Sequence, residues 1–184
     1  MAALRQHLCA LVALLVASVT PAPFAHAQDS LHLVEQDIKA GLLYNFLRYT
    51  QWPQQAQASD AIVCIYGQDP FSGRLTPMAG RTVNQRTIEV RMIHDYSEIS
   101  ACSLLFVNAQ ERARWSALRT FLTGRNILTV SDYDGFARAG GMIEFTRVNS
   151  RIGVRINVEA VQGANLAVED RLLRLARTVR SGEP

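Results

Sequence analysis

Residues 131–145 read SDYDGFARAGGMIEF, and the fold turns on how that run is interpreted. Gly135, Gly140 and Gly141 stand among acidic residues, and the strand signal Met142-Ile143-Glu144-Phe145 follows at once. Glycine enters positive φ without steric cost, so the backbone must turn sharply here or be approached closely. The apolar run 127–130 (ILTV) precedes it as a buried strand. The stretch is therefore a junction between two strands, a place where function often resides.

Downstream, 142–148 and 151–158 carry two further strand signals separated only by Asn149-Ser150, which suggests a tight hairpin. Residues 158–162 start a helical turn that Gly163 can end, Asn165 tolerates a left-handed conformation, and Glu169-Asp170 place negative charge at the start of a last helix over 171–179. Upstream, 61–66 (AIVCIY) and 102–107 (CSLLFV) are unbroken apolar runs, suited to strands of a parallel sheet covered on both faces. Residues 87–93 alternate, with Ile88, Val90 and Met92 on one face, as expected nearer an edge.

Between these strands lie helical patterns. Residues 29–52 repeat Leu31, Val34, Ile38, Leu42, Phe46 and Tyr49 at helical spacing behind an Asp29-Ser30 cap, and Pro53 stops the helix. Gly41 within it costs about 1 kcal/mol relative to alanine, which implies close approach by a neighbouring backbone. A weak helix is expected over 73–79, and another over 108–124 buries Trp115, Leu118, Phe121 and Leu122 and ends at Gly124. Strands alternating with helices, then a hairpin, predict an α/β fold: one layered domain with a mainly parallel sheet flanked by helices and a C-terminal antiparallel hairpin.

The first 27 residues stand apart. Arg5, the apolar run 8–19 and Ala25-His26-Ala27 are the parts of a secretory signal peptide, so the expected organisation is a cleaved leader over 1–27 and a single domain over 28–184. The apolar run is interrupted by Thr20, Pro21 and Pro23 before it reaches the roughly 20 residues of a membrane span. Without the leader, Cys64 and Cys102 remain. An even number in an exported chain suggests a single disulfide, and two buried free thiols are the alternative.

Chemistry is sparse. His32 and His94 are the histidines left beyond the leader, and neither has the neighbours of a metal site. No Gly-x-Ser-x-Gly elbow, His-Glu-x-x-His pair or phosphate loop is present. Gly135…Gly140-Gly141 precedes a strand, whereas a dinucleotide fingerprint opens a helix. Asp132-x-Asp134-Gly135 lacks the other oxygen ligands of a calcium loop. The expectation is no enzyme, no cofactor and no metal.

The formal charge of +3 falls by one without Arg5, too little for a nucleic-acid polycation. Lys39 is the one lysine, and arginine carries the rest. Arginines 147, 151, 155, 171, 174, 177 and 180 face only Glu159, Glu169 and Asp170 between residues 147 and 180. This is a solvated face or a patch for an acidic partner or small anionic ligand.

Several stretches together resemble one family. Lys39-Ala40-Gly41-Leu42-Leu43-Tyr44-Asn45-Phe46 with Trp52-Pro53 is similar to the first helix of the YfiR/HmsC-like periplasmic proteins. So are Val63-Cys64-Ile65-Tyr66-Gly67 with Asp69-Pro70-Phe71, Cys102-x-Leu104-Leu105-Phe106-Val107, and Leu128-Thr129-Val130-Ser131-Asp132 running through Gly135-Phe136-Ala137 to Phe145. Ile156-Asn157 and Leu172-Leu173-Arg174-Leu175-Ala176 complete the set. The resemblance implies a periplasmic, non-catalytic regulator that binds the periplasmic sensory domain of an inner-membrane diguanylate cyclase and represses it, with consequences for cyclic-di-GMP and biofilm.

It also implies a Cys64–Cys102 disulfide. The alternative is a small-molecule-sensing domain for a sensor kinase or other envelope receptor, and a homodimer is a further option. The sequence departs from the family at Asn165 and Glu169-Asp170. The expected partner-binding residues are Tyr133, Asp134 and Phe136, taken as exposed on the junction, with Arg171, Arg174 and Arg177.

Overall fold

The computed structural model describes residues 25–54, 60–149 and 151–182. It falls into two units, one ending at His32 and one running from Leu33, and the fold below belongs to the second. In chain order the elements are α1 (Ala25–Tyr49), β1 (Thr50–Gln51), β2 (Ala61–Tyr66), β3 (Thr82–Val83), β4 (Arg86–Ile93), α2 (Tyr96–Ile99), β5 (Leu104–Val107), α3 (Trp115–Leu122) and β6 (Leu128–Ser131). Then follow β7 (Ile143–Val148), β8 (Arg151–Asn157), α4 (Val158–Gly163), β9 (Ala167–Val168), α5 (Asp170–Leu175) and β10 (Arg177–Val179).

Among the described residues, eight strands form one sheet in the order β10-β8-β7-β6-β5-β2-β4-β3. The run from β4 through β2, β5 and β6 to β7 is parallel. β8 pairs antiparallel with β7, Val148 opposite Arg151, in the expected hairpin. The α/β architecture read from the alternation is the one observed. Ser150 and the first 24 residues of the expected leader lie outside the described residues, and Ala25–Ala27 open α1.

The central strands are covered on both faces. Ala61, Val63 and Ile65 of β2 join Leu104 and Phe106 of β5 in one core, with Leu43, Phe46 and Leu47 of α1. Ile62, Cys64 and Tyr66 join Leu105 and Val107 in the other, with Trp115 and Leu118 of α3. A strand with no solvent face has no polar positions, which is why these runs do not alternate. Cys64, inside β2, is bridged to Cys102, which lies just ahead of β5 with a Cα–Cα distance of 5.8 Å. β2 and β5 are neighbours, so the bridge ties a central strand to the loop entering the next one.

Several expectations need correction. α1 begins at Ala25, ahead of the Asp29-Ser30 cap. It turns inward the face bearing Gln36, Lys39, Ala40, Leu43, Phe46 and Leu47, so that Leu31, Val34 and Ile38 are exposed and Leu42 and Tyr49 half-buried. The apolar period was misleading because two polar residues, Gln36 and Lys39, occupy the buried stripe. Gly41 meets no close backbone: nothing lies within 4 Å of where its Cβ would stand. Met92 is exposed, so the apolar face of β4 ends at Val90.

The expected helix over 73–79 is a short 3-10 segment, Thr76–Met78. That over 108–124 opens as a 3-10 turn, Ala109–Arg114, because the Asn108 side chain accepts from the Gln110 backbone N–H. The last helix stops at Leu175, and Arg177–Val179 adds to β8 as a parallel strand. An open sheet edge recruits nearby extended chain, and Thr178-Val179 is suited to supply it.

Two stability measurements follow. Gly41→Ala is expected to raise stability by about 0.5–1 kcal/mol in urea denaturation, and a loss would mean that the helix surface there is in contact after all. Replacing both Cys64 and Cys102 by serine is expected to cost about 4 kcal/mol in the chain-entropy model of loop closure. The oxidised and reduced proteins should differ in intact mass by two hydrogens, and equal masses would reject the bridge.

Candidate functional site

The junction after β6 is built around one carboxylate. Glu144, the second residue of β7, has no solvent exposure. Its Oε1 accepts from the Gly135 N–H at 3.2 Å and from the Arg155 guanidinium at 2.5 Å, and its Oε2 accepts from the Ala137 N–H at 2.9 Å. The Asn157 amide donates to the Ala137 carbonyl at 2.8 Å, and the Trp115 indole donates to the Ala139 carbonyl at 3.0 Å. A Cβ on Gly141 would stand 2.3 Å from the Phe136 ring, so only glycine lets the backbone pass there. The loop is thus pinned from inside; Gly141 serves packing, while Gly135 and Gly140 supply positive φ.

This arrangement corrects part of the expected contact set. Tyr133 and Phe136 are buried, not exposed: both belong to the α3-side core, with their rings 5.1 Å apart and Phe136 4.4 Å from the Trp115 ring. They turn inward because the loop folds over α3, where aromatic surface leaves water. Burial, opposed by the Arg112 charge, pushes the Tyr133 phenol up to about 12. Asp134 does project, with its side chain 89% exposed and its carboxylate 3.8 Å from Arg155.

Arg171, Arg174 and Arg177 are exposed as expected. Arg177 pairs in register with Arg155 across β10 and β8, so Asp134, Arg155 and Arg177 share one neighbourhood, while Arg171 and Arg174 ride on α5. Other arginines of the basic third have internal partners: Arg147 pairs with Glu35, Arg155 with Glu144 and Arg180 with Glu159.

A second charged cluster was not singled out by the sequence reading. Lys39 is buried on α1, and its Nζ lies 2.9 Å from both Glu35 and Asp132. Glu35 also meets Arg147, so the network fastens α1 to the end of β6 and to β7. Burial would raise the Glu35 pKa, but the hydrogen bonds and charges of Lys39 and Arg147 outweigh it and hold the carboxyl below its ordinary value. The signal that was available was a lone lysine in a chain otherwise using arginine. Glu144 was signalled likewise, as a lone acid in an apolar strand.

The strand order reverses between β2 and β5, and sheets of this kind bind ligands in the crevice at that reversal, beyond the strands' carboxyl ends. Here the crevice is closed. The Asn108 side chain donates to the Gln68 carbonyl at 2.7 Å and its backbone N–H to the Tyr66 carbonyl at 3.2 Å. The Glu111 side chain lies 2.9 Å from where a Cβ on Gly67 would stand. His32 and His94 are exposed. Among the described residues, no group of three or more His, Cys, Asp or Glu is placed to hold a metal ion.

Two variants separate these clusters. Glu144→Gln is expected to cost about 1–3 kcal/mol, because it leaves the half-buried Arg155 with the exposed Asp134 as its remaining charged neighbour, and urea denaturation measures it. Glu35→Gln is expected to lose stability at neutral pH. Since the folded carboxyl sits low, its contribution is present above the ordinary value of 4.5 and is lost as pH falls through and below it. Melting curves of wild type and variant should therefore converge toward acid pH.

Comparison with known proteins sets these features in a family. No curated protein matches the chain in sequence. A solved structure titled as the ABC domain in complex with L-Trp from Streptococcus pneumonia is similar at 10% identity and a TM-score of 0.49, covering 74% of this chain. The chain spans 59% of that structure's length. The family described as YfiR/HmsC-like, whose members are periplasmic regulators of diguanylate-cyclase signalling, matches residues 36–177, from the buried face of α1 to the first residue of β10. The chain belongs to the YfiR/HmsC-like family.

Proposed function

We propose that this protein is exported by its 1–27 leader, binds the periplasmic sensory domain of an inner-membrane diguanylate cyclase and holds the cyclase inactive. The observation that carries the reading is the family match over residues 36–177. The Cys64–Cys102 bridge supports it, since such bonds persist in oxidising compartments. Among the described residues, no helix is long and apolar enough to cross a membrane, which fits a partner reached from outside the bilayer.

The contact surface in this reading is polar. Asp134 and the exposed arginines 171, 174 and 177 meet the partner, while buried Tyr133 and Phe136 hold the loop that presents Asp134. Arginine suits this role because its planar fork makes two parallel bonds to a carboxylate.

Deleting the gene is expected to raise cellular cyclic-di-GMP, and restoring it should lower the level again. A protein carrying Arg171→Glu, Arg174→Glu and Arg177→Glu is expected to keep its melting temperature and fail to restore repression. An unchanged cyclic-di-GMP level in the deletion strain would sink the proposal.

A further inference from the structure

A cavity of about 220 Å³ lies between the end of α1, the β3–β4 hairpin and the start of β2, far in sequence from the junction. Leu47, Ala61 and Val83 give it an apolar floor, and Trp52 adds a ring fixed by an indole donation to the Asn126 carbonyl at 3.0 Å. Asn84 shapes the mouth, its amide donating to the Leu47 and Arg48 carbonyls at the end of α1. The volume equals about seven waters at ~30 Å³ each, and it is below the ~300 Å³ at which drug-sized pockets begin. It suits a small metabolite.

Two polar groups in the wall point to a ligand. Thr50 is 2% exposed, yet among the described residues its Oγ1 has no hydrogen-bond partner. A buried hydroxyl left in this state costs about 1–3 kcal/mol; its oxygen is shut off from the cavity as the side chain stands, and a turn about χ1 toward a bound acceptor removes the cost. Arg86 is also buried, with one guanidinium nitrogen 2.7 Å from both the Asp60 carbonyl and the Ser103 hydroxyl and its plane 6.0 Å from the Trp52 ring. It brings a fixed positive charge into a wall where Thr50, Gln51, Asn84 and Glu169 stand beside the apolar Leu47, Trp52, Ala61 and Val83. Burial lowers its pKa, with Asp60 acting in the opposite sense.

We propose that this cavity binds a small monocarboxylate with a short apolar body, the carboxylate accepting from Thr50 and lying in the field of Arg86, and the body resting on Leu47, Val83 and Trp52. Glu169, which also lines the cavity, sets the class further. Its charge opposes a dianion such as phosphate and accepts an ammonium group, so both simple carboxylates and α-amino acids satisfy the shared chemistry. The proposal does not depend on the cyclase reading, because it concerns a different face and a different kind of partner.

The test is a thermal-shift and calorimetric titration of the purified protein with isobutyrate, benzoate, leucine, phenylalanine and inorganic phosphate at millimolar concentration. At least one carboxylate is expected to raise the melting temperature, and phosphate is not. The contrast between benzoate and phenylalanine, or isobutyrate and leucine, reports whether an ammonium is required.

Thr50→Val, which keeps shape and removes the hydroxyl, is expected to leave the ligand-free melting temperature equal or higher while weakening binding about ten-fold. Thr50→Ser is expected to restore binding. No shift with any carboxylate, an equal shift with phosphate, or unchanged binding by Thr50→Val would each overturn the proposal. None of these outcomes bears on cyclic-di-GMP, so this reading and the cyclase reading fail separately.

Discussion

A carboxylate removed from water costs several kcal/mol unless charge and hydrogen bonds meet it on every side, and Glu144 imposes that requirement at the centre of this fold. It projects from a strand that must lie in the sheet, so its partners have to be brought to it. Arg155 arrives because β8 pairs antiparallel with β7, placing it opposite Glu144 in register. The remaining donors are the Gly135 and Ala137 N–H groups, and they reach the carboxylate only if residues 132–142 curl back over α3. The glycine-rich run is the shape the chain takes to satisfy one buried acid.

The parallel half of the sheet works under a different constraint. With both faces of β2 and β5 covered, register is held by apolar contacts on two sides, and the Cys64–Cys102 bridge adds a covalent tie on one of them. The same half closes its own crevice at the strand reversal through Asn108 and Glu111. Open space is found elsewhere, below the end of α1, where the chain leaves a threonine hydroxyl unmet. A further cavity of about 170 Å³ borders the junction itself, at Gly140 and Met142, so what sets the α1 end apart is the unmet hydroxyl and not open space alone.

The sequence was legible where composition alone decides burial. The run 61–66 and the last four residues of the run 102–107 are strands because a continuous apolar stretch has few other homes, and Asn149-Ser150 marks the hairpin by its spacing. It was less legible where polar residues go inside. Lys39 and Gln36 occupy the buried stripe of α1, and a periodicity argument that counts only apolar side chains chose a face rotated from it, sharing Phe46 but exposing Leu31, Val34 and Ile38.

Tyr133 and Phe136 misled for a related reason, since a loop flanked by aspartates reads as solvent-facing until the buried acid that reels it in is known. Short pairings were the hardest to foresee. β10 exists because β8 offers an edge, and within 171–179 only the β-branched pair Thr178-Val179 signals that the chain leaves the helix after Leu175.

Cys64 has no contact with solvent and lies mid-strand between two neighbours. Its side chain lies in the α3-side core beside Cys102, which is 5% exposed, so Cys102 is the sulfur that an exchange partner reaches first and Cys64 the one that closes the bridge from within. The covalent tie forms most readily while Ile99, Trp115 and Leu118 are still loosely packed around the pair, so oxidation and the docking of α3 proceed together.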